Sequence, residues 1–565
     1  MRSTMPHHPL TVGMMLAHSR WVHAESEVVT MEAGSTRRAS FADVAARADR
    51  LARALSGIGV GRHDRVGTFG WNTQEHLEAY MAVPAMGAVL HTVNIRLFAE
   101  QIVYVINHAA DKVLIVDSAV LGLLAPLVGQ LPGVEHIIVT GAGDDVDLER
   151  PVLRYEQLLA DQEPGFDYPD LDEDDPAAMC YTSGTTGNPR GVVYSHRSTY
   201  LHAMAACMGG AFGIADADRV LPIVPMFHAN AWGLPYAAWL AGADLVMPNR
   251  FLQAEPLCQL IAAERPTVSG AVPTVWNDIL HFAETRPVDL SSLRLVVCGG
   301  SAVPRSLIEQ LQDRHDVRVV QAWGMTETSP LAAIAHPPKH LTSGSEMTYR
   351  ARAGRVHPGV QIRLVDEAGD TVPADGISVG EIEVRGPWVT GSYYGEDVPE
   401  KFHDGWLRTG DVGTLDAKGY VQITDRTKDV IKSGGEWISS VELENALMGH
   451  PAVREAAVVA VPDERWGERP LACAVVDPTS AAGADDLRGY LASHVARWWI
   501  PDLWAFIDEV PKTSVGKFDK KELRRRFQAG EISTESAGDT TGGSDRGTEP
   551  SAAPQSTMAA AAGDG

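Results

Sequence analysis

Cysteine is scarce in this 565-residue chain: Cys180, Cys207, Cys258, Cys298 and Cys473 are odd in number, scattered and without metal-ligand spacing. That argues against a disulfide framework or a thiolate zinc site, and leaves reduced cytosolic thiols as the reading. Positive charge is scarce too. There are 48 Lys and Arg against 73 Asp and Glu, a net charge of −25, which argues against nucleic acid and against an anionic membrane surface as partners. Long apolar runs are missing. The first eighteen residues lack the apolar core of a signal peptide, so a cytoplasmic protein is the expectation. The stretch 229–248 carries a single charge, Asp244, but Asn230, Gly233, Pro235 and Gly242 interrupt it. It reads as buried helix and strand, with no transmembrane segment.

The composition is that of a globular protein, 45% apolar and 21% charged, and the length favours more than one domain. Up to about residue 170, helical spacing (41–58, with Val44, Ala48, Leu51 and Leu55) alternates with short apolar runs at 64–69, 112–117 and 136–140. The alternation predicts an α/β fold. It continues through 293–298 into Gly299-Gly300, a strand exit of the kind where ligands sit. Near 420 the pattern changes. A helix over 441–449, strands over 455–461 and 470–476, and a helix over 487–495 make a small α+β unit. Expected boundaries are an N-terminal domain 1–425, a hinge 426–430, a mobile C-terminal domain 431–530 and a disordered Ser/Thr/Gly/Ala-rich tail 531–565. No internal repeat is present.

Five motifs carry chemistry. The segment YTSGTTGNPRG at 181–191 puts hydroxyls and glycines after an apolar run. Glycine lets the backbone approach a ligand, and successive N–H groups with Ser/Thr hydroxyls suit phosphate oxygens. It is not a Walker loop, which needs Gly-Lys-Ser/Thr. In QAWGMTETS at 321–329, Thr326 can donate to phosphate, Glu327 is a hard oxygen ligand for Mg²⁺, and Trp323 offers a flat face to a base. In GWLRTGD at 405–411, Asp411 can accept from two ribose hydroxyls, although Gly-Asp is also an ordinary turn. DRTKDVIKSGGEW at 425–437 mixes charges with a double glycine, and PKTSVGK at 511–517 ends in a lone lysine on a loop.

In order and spacing, these motifs resemble the adenylate-forming superfamily of acyl-CoA synthetases, luciferases and peptide-synthetase adenylation domains, over roughly residues 10 to 530. Within it, VPMFHANAW at 224–232 and KSGGEWISS at 432–440 look most like bacterial medium- and long-chain fatty acyl-CoA synthetases. The resemblance implies a large multi-sheet N-terminal domain, a small mobile C-terminal domain and a two-step reaction. Carboxylate and MgATP would give acyl-AMP and diphosphate, and the thiol of CoA would then displace AMP. An alternative is a CoA ligase for a short or unusual acid, such as a thioether- or aryl-substituted propionate. Another is an enzyme that loads a carrier protein. A homodimer is compatible with the family.

The resemblance also implies roles. Thr182, Ser183, Gly184, Thr185, Thr186 and Gly187 would hold the β- and γ-phosphates, with Arg190 where the family usually has Lys. Glu327 and Thr182 would hold Mg²⁺. Trp323 would stack on adenine, where the family usually has Tyr, and Asp411 would hold the ribose with Arg426 nearby. Gly300, Gln321, Thr326, Lys432 and Trp437 are further nucleotide- or CoA-site candidates, and Lys428 sits at the hinge position. Lys517 would bridge acyl and phosphate oxygens as diphosphate leaves. His228 and Ala229 would lie beside the acyl carboxylate, and Trp232 would gate the fatty-acid tunnel. Lys517, Glu327 and His228 are thus the catalytic candidates.

Overall fold

The computed structural model describes residues 3–143, 148, 150–182, 188–341, 345–434, 436–480, 482–513 and 517–536, with 436 and 437 described by backbone alone. The fold is mixed α/β with a large N-terminal part and a smaller C-terminal part, as the alternation predicts. The expected phosphate-loop residues Ser183, Gly184, Thr185, Thr186 and Gly187, the Trp437 side chain and most of the expected tail lie outside the described residues.

Residues 27–426 supply two sheets. In the seven-stranded sheet, strands from Arg65–Phe69 to Pro176–Tyr181 run parallel, and Gly191–Ser195 closes it antiparallel to Pro176–Tyr181. In the 14-stranded sheet, Arg219–Pro222, Val268–Ala271, Leu295–Gly299 and Val319–Gly324 form a parallel centre, flanked on one side by antiparallel strands up to Tyr420–Arg426. The parallel strands are buried on both faces, as near-continuous apolar runs require. Helix Phe41–Gly57 starts where Ser40 and Asp43 form a capping box, and it buries Val44, Ala48, Leu51 and Leu55.

The C-terminal part builds a six-stranded sheet around the hairpin Val453–Asp463 and Gly467–Val476. The chain passes from one sheet to the other between Tyr420–Arg426 and Ile431–Ser433, across the expected hinge. Two expectations need correction. Helix Ala484–Leu491 ends before Val495, which lies on the turn that follows. Within the expected tail, Glu535–Ser536 pair antiparallel with Leu503 and Trp504. Ile532 packs on the C-terminal core and Glu531 pairs with Arg525, so ordered chain continues past Gly530. The stretch 229–248 is a buried turn, a helix Leu234–Ala241 and a strand Asp244–Met247. Among the described residues no helix is long and apolar enough to cross a membrane.

Candidate active site

A cavity of about 330 Å³ lies where the carboxyl ends of Leu295–Gly299 and Val319–Gly324 meet the C-terminal part. Open α/β sheets place ligands at such strand ends. Glycine is required there. A Cβ on Gly299 would come 2.5 Å from the Ala322 carbonyl oxygen, and Gly300 has φ +83°.

One end of the cavity is built from Trp323, Asp411 and Arg426. Asp411 and Arg426 face each other across the strand pair Trp406–Leu415 and Tyr420–Arg426. The Arg426 Nε lies 3.3 Å from Asp411 Oδ1, and the Trp323 indole N–H donates to Oδ2 at 2.9 Å. The expected stacking residue therefore also orients the expected ribose acceptor.

At the second end, the neck of the 182–190 loop is closed twice. Thr182 N–H donates to the Arg190 carbonyl at 2.9 Å, and Arg190 N–H donates to Thr182 Oγ1 at 3.1 Å. The Arg190 guanidinium lies over the Tyr393 ring, 5.4 Å from its centroid, and its Nε is 3.2 Å from Glu396. The Tyr393 hydroxyl donates to Glu327 Oε1 at 2.7 Å. Burial and the Glu327 carboxylate push the Tyr393 phenol well above its usual range, which keeps it a donor. Thr326 and Glu327 sit on a short turn, and the Tyr194 hydroxyl donates to the Thr326 carbonyl at 2.7 Å. Among the described residues no three His, Cys, Asp or Glu side chains gather into a metal-holding cluster. The buried Glu327 carboxylate has the hard oxygen donors that suit a cation arriving with phosphate oxygens.

The third end holds His228, Ala229 and Trp232. The indole lies against the sheet, where a Cβ at Gly270, Gly299 or Gly300 would each meet it at 3.7 Å. Burial, then the nearby Lys517 and Arg96 charges, depress His228 to about 3. Its imidazole is neutral at working pH and can act there as a hydrogen-bonding group but not as a cation.

Lys517, carried by the C-terminal part, reaches this cavity. A Cβ on Gly300 would lie 3.8 Å from its Cε. Burial and the Arg426 charge lower its ammonium to about 8, against the raising pull of Asp411 and Glu327. Lys428 also lines the cavity, and burial lowers its pKa. The structure thus brings together Thr182, Arg190, His228, Ala229, Trp232, Gly300, Trp323, Thr326, Glu327, Arg426, Lys428 and Lys517, with Asp411 behind Trp323 and Arg426. Two expected residues do not join them. Gln321 accepts from the Val303 N–H at 3.3 Å beneath the strand, and Lys432 lies outside the cavity, 3.7 Å from Glu367. Tyr393 and Lys401 line the cavity unforeseen. Tyr393 lies in GSYYG at 391–395, where doubled tyrosines between glycines were the available signal.

The pattern described as "AMP-binding enzyme" matches residues 19–394, and that described as "AMP-binding enzyme C-terminal domain" matches 442–517. This chain belongs to the AMP-binding enzyme family. It is 44% identical over 533 residues to a long-chain-fatty-acid–CoA ligase of Thermus thermophilus, covering 93% of this chain and 97% of the relative. It is 41% identical over 526 residues to a 3-methylmercaptopropionyl-CoA ligase of Ruegeria lacuscaerulensis, covering 92% and 98%. Its fold superposes with TM-score 0.84 on the crystal structure of an anthranilate CoA ligase, AuaEII, in complex with anthranoyl-AMP, at 27% identity over 93% of this chain and 99% of the other. The chain is an acid–thiol ligase, and both the family resemblance and the expected two-part fold hold.

Proposed function

We propose that this enzyme joins a medium- or long-chain fatty acid to coenzyme A through an acyl-adenylate. The carboxylate oxygen attacks the α-phosphorus of ATP and diphosphate leaves. The CoA thiolate then attacks the acyl carbon and AMP leaves. The observation that carries the reading is the meeting of Lys517 from the C-terminal part with His228, Trp232 and Glu327 from the N-terminal part around one cavity.

Each residue then has a physical task. Lys517 offers an ammonium where negative charge grows as diphosphate leaves, and in-line attack is otherwise a matter of positioning. Asp411, braced by Trp323 and Arg426, accepts from ribose hydroxyls. The Thr182–Arg190 neck presents the phosphate loop, and neutral His228 donates to the acyl carboxylate. Mg²⁺ would be held by Glu327, Thr182 and the phosphates, and would neutralise charge on them. The segment 431–530 would rotate about 426–430 between the half-reactions, taking Lys517 out of the site and letting CoA in.

A second reading, a CoA ligase for a short thioether-substituted acid, has its own support. The bulky Trp232 indole lies over Gly270, Gly299 and Gly300 at the acyl side of the cavity, and a relative is named for such an acid. The test is diphosphate release and thioester formation across straight-chain acids, 3-methylmercaptopropionate and an aryl propionate, with and without CoA. A maximum on medium or long acids with CoA-dependent turnover supports the proposal. A maximum on the thioether acid selects the second reading. Acyl-AMP that CoA does not consume would overturn both and point to a carrier protein as acceptor.

A further inference from the structure

The chain from Ala229 to Gly233 makes a left-handed turn. The φ angles are +42°, +51°, +50°, +57° and +71° at Ala229, Asn230, Ala231, Trp232 and Gly233. Four of these residues are not glycine. L-residues enter this region singly, because Cβ crowds the following carbonyl, and a run of four persists only if its surroundings over-determine it. Two backbone hydrogen bonds close the turn, Ala231 N–H to the His228 carbonyl at 3.0 Å and Gly233 N–H to the Asn230 carbonyl at 2.9 Å. These satisfy the backbone but do not choose its hand.

The side chain of Asn230 supplies what the backbone lacks. Its neighbours His228, Ala229 and Trp232 line the cavity, whereas Asn230 is turned to the seven-stranded sheet. Its Oδ1 accepts from Thr92 Oγ1 at 3.4 Å and from Cys180 Sγ at 3.2 Å. The Tyr80 hydroxyl lies 3.3 Å away and is committed to the Met226 carbonyl. All four side chains are buried. Thr92 and Cys180 are register partners on adjacent parallel strands, and Cys180 stands two residues before Thr182, at the neck of the phosphate loop.

We propose that Asn230 is a positioning residue for acid selection: by anchoring the left-handed turn to the strand that feeds the phosphate loop, it fixes His228 and Trp232 against the acyl side of the cavity. This rests on the carboxylic-acid reading of that end of the cavity. Asparagine suits the place twice, since it tolerates positive φ better than most residues and carries the acceptor.

Three variants of the full chain test it. Asn230→Gly keeps the backbone freedom and removes the anchor. Asn230→Ala removes both. Thr92→Val removes one donor from the other side. Both Asn230 variants are expected to raise KM for the acid about tenfold with ATP KM within about twofold, because misplacement of an orienting group acts on the substrate it orients. Thr92→Val should move the same parameter less, and should add nothing to Asn230→Gly because both break one contact. An unchanged acid KM in folded Asn230→Gly overturns the proposal. So does a parallel rise of both KM values with a fall in Tm, which marks a merely structural role. A crystal structure of Asn230→Gly gives a readout independent of activity. The proposal expects Trp232 displaced from Gly270, Gly299 and Gly300, and an indole still in place overturns it. If the wild type adenylates no carboxylic acid, the proposed function fails, and this crystal structure still decides the role of Asn230.

Discussion

The indole N–H of Trp323 donates to Asp411 at 2.9 Å, so the residue proposed to offer a flat face to the nucleotide also holds the carboxylate proposed to receive its ribose. A tyrosine at this position would present the face without a ring N–H at that place. Trp323→Phe separates the two tasks. It keeps an aromatic face and leaves Asp411 with Arg426 alone. The expected outcome is an ATP KM raised about ten- to a hundredfold with acid KM unchanged, the size of one lost hydrogen bond to a charged acceptor. Steady-state kinetics with each substrate varied in turn checks it. An unaltered ATP KM would mean that Arg426 alone orients Asp411.

Lys517 is poised near its own pKa. Its value of about 8 is lowered from the usual 10.5 by burial and by Arg426. It is therefore cationic below about 8 and loses its charge as pH rises through that value. Acyl-AMP formation should fall on the alkaline side, with kcat/KM reporting the free enzyme. Lys517→Ala should nearly abolish adenylation but leave CoA attack on supplied acyl-AMP much less affected. Lys517→Arg, which stays protonated, should flatten the alkaline limb at reduced kcat, because its planar fork replaces a compact ammonium. An alkaline limb of the same shape in the arginine variant would assign that limb to another group.

Tyr393 tests the proposed role of Glu327 as a cation ligand. Its hydroxyl donates to Glu327, and Arg190 lies over its ring. Removing that hydroxyl with Tyr393→Phe frees Glu327 to rotate and leaves the ring under Arg190 in place. Groups that orient a metal-binding carboxylate are worth about ten- to a hundredfold in metal affinity or activity. The expected result is a lowered kcat that added Mg²⁺ partly restores. A titration of rate against free Mg²⁺ in both enzymes measures it, and identical curves would remove Tyr393 from the site.

Much of this was legible in residue order. Strand exits at Gly299-Gly300 and the 441–449 helix follow from local pattern, and the helix is observed as Ser440–Leu447. Asp411 and Arg426 are fifteen residues apart in sequence, and the turn between their strands sets them opposite one another. What could not be read was tertiary. Gln321 belongs to a site-bearing motif, yet Val303, just past the neighbouring strand Leu295–Gly299, takes its side chain. Tyr393 reaches Glu327 across 66 residues of sequence. The left-handed turn at 229–232 breaks local preference, so no helical or strand periodicity could announce it.

Asp425 ties the two parts together in this arrangement. Its Oδ2 accepts from the Ser440 N–H at 2.8 Å and from the Ser440 hydroxyl. Lys520 donates to Ser440 and pairs with Glu444 at 2.7 Å, and burial raises both carboxyls, Glu444 to about 7. Asp425 stands before the expected hinge and the other three after it, so the cluster clasps the C-terminal part in the position that puts Lys517 in the cavity. Asp425→Ala removes the clasp on one side. It should slow acyl-AMP formation about tenfold while sparing thioester formation from supplied acyl-AMP, since about 1.4 kcal/mol shifts a two-state balance tenfold. Lys428→Pro should act the other way. Proline fixes φ near −65° and restricts the residue before it. A backbone held in the adenylating arrangement would let acyl-AMP accumulate while acyl-CoA appears slowly. Lys428→Ala is the control, because Lys428 lines the cavity and loses its charge in both variants. Rapid-quench measurement of acyl-AMP and acyl-CoA in all three variants distinguishes the cases. Equal slowing of both half-reactions by Asp425→Ala would reduce the cluster to a folding contact, and undiminished acyl-CoA formation in Lys428→Pro would place the hinge elsewhere.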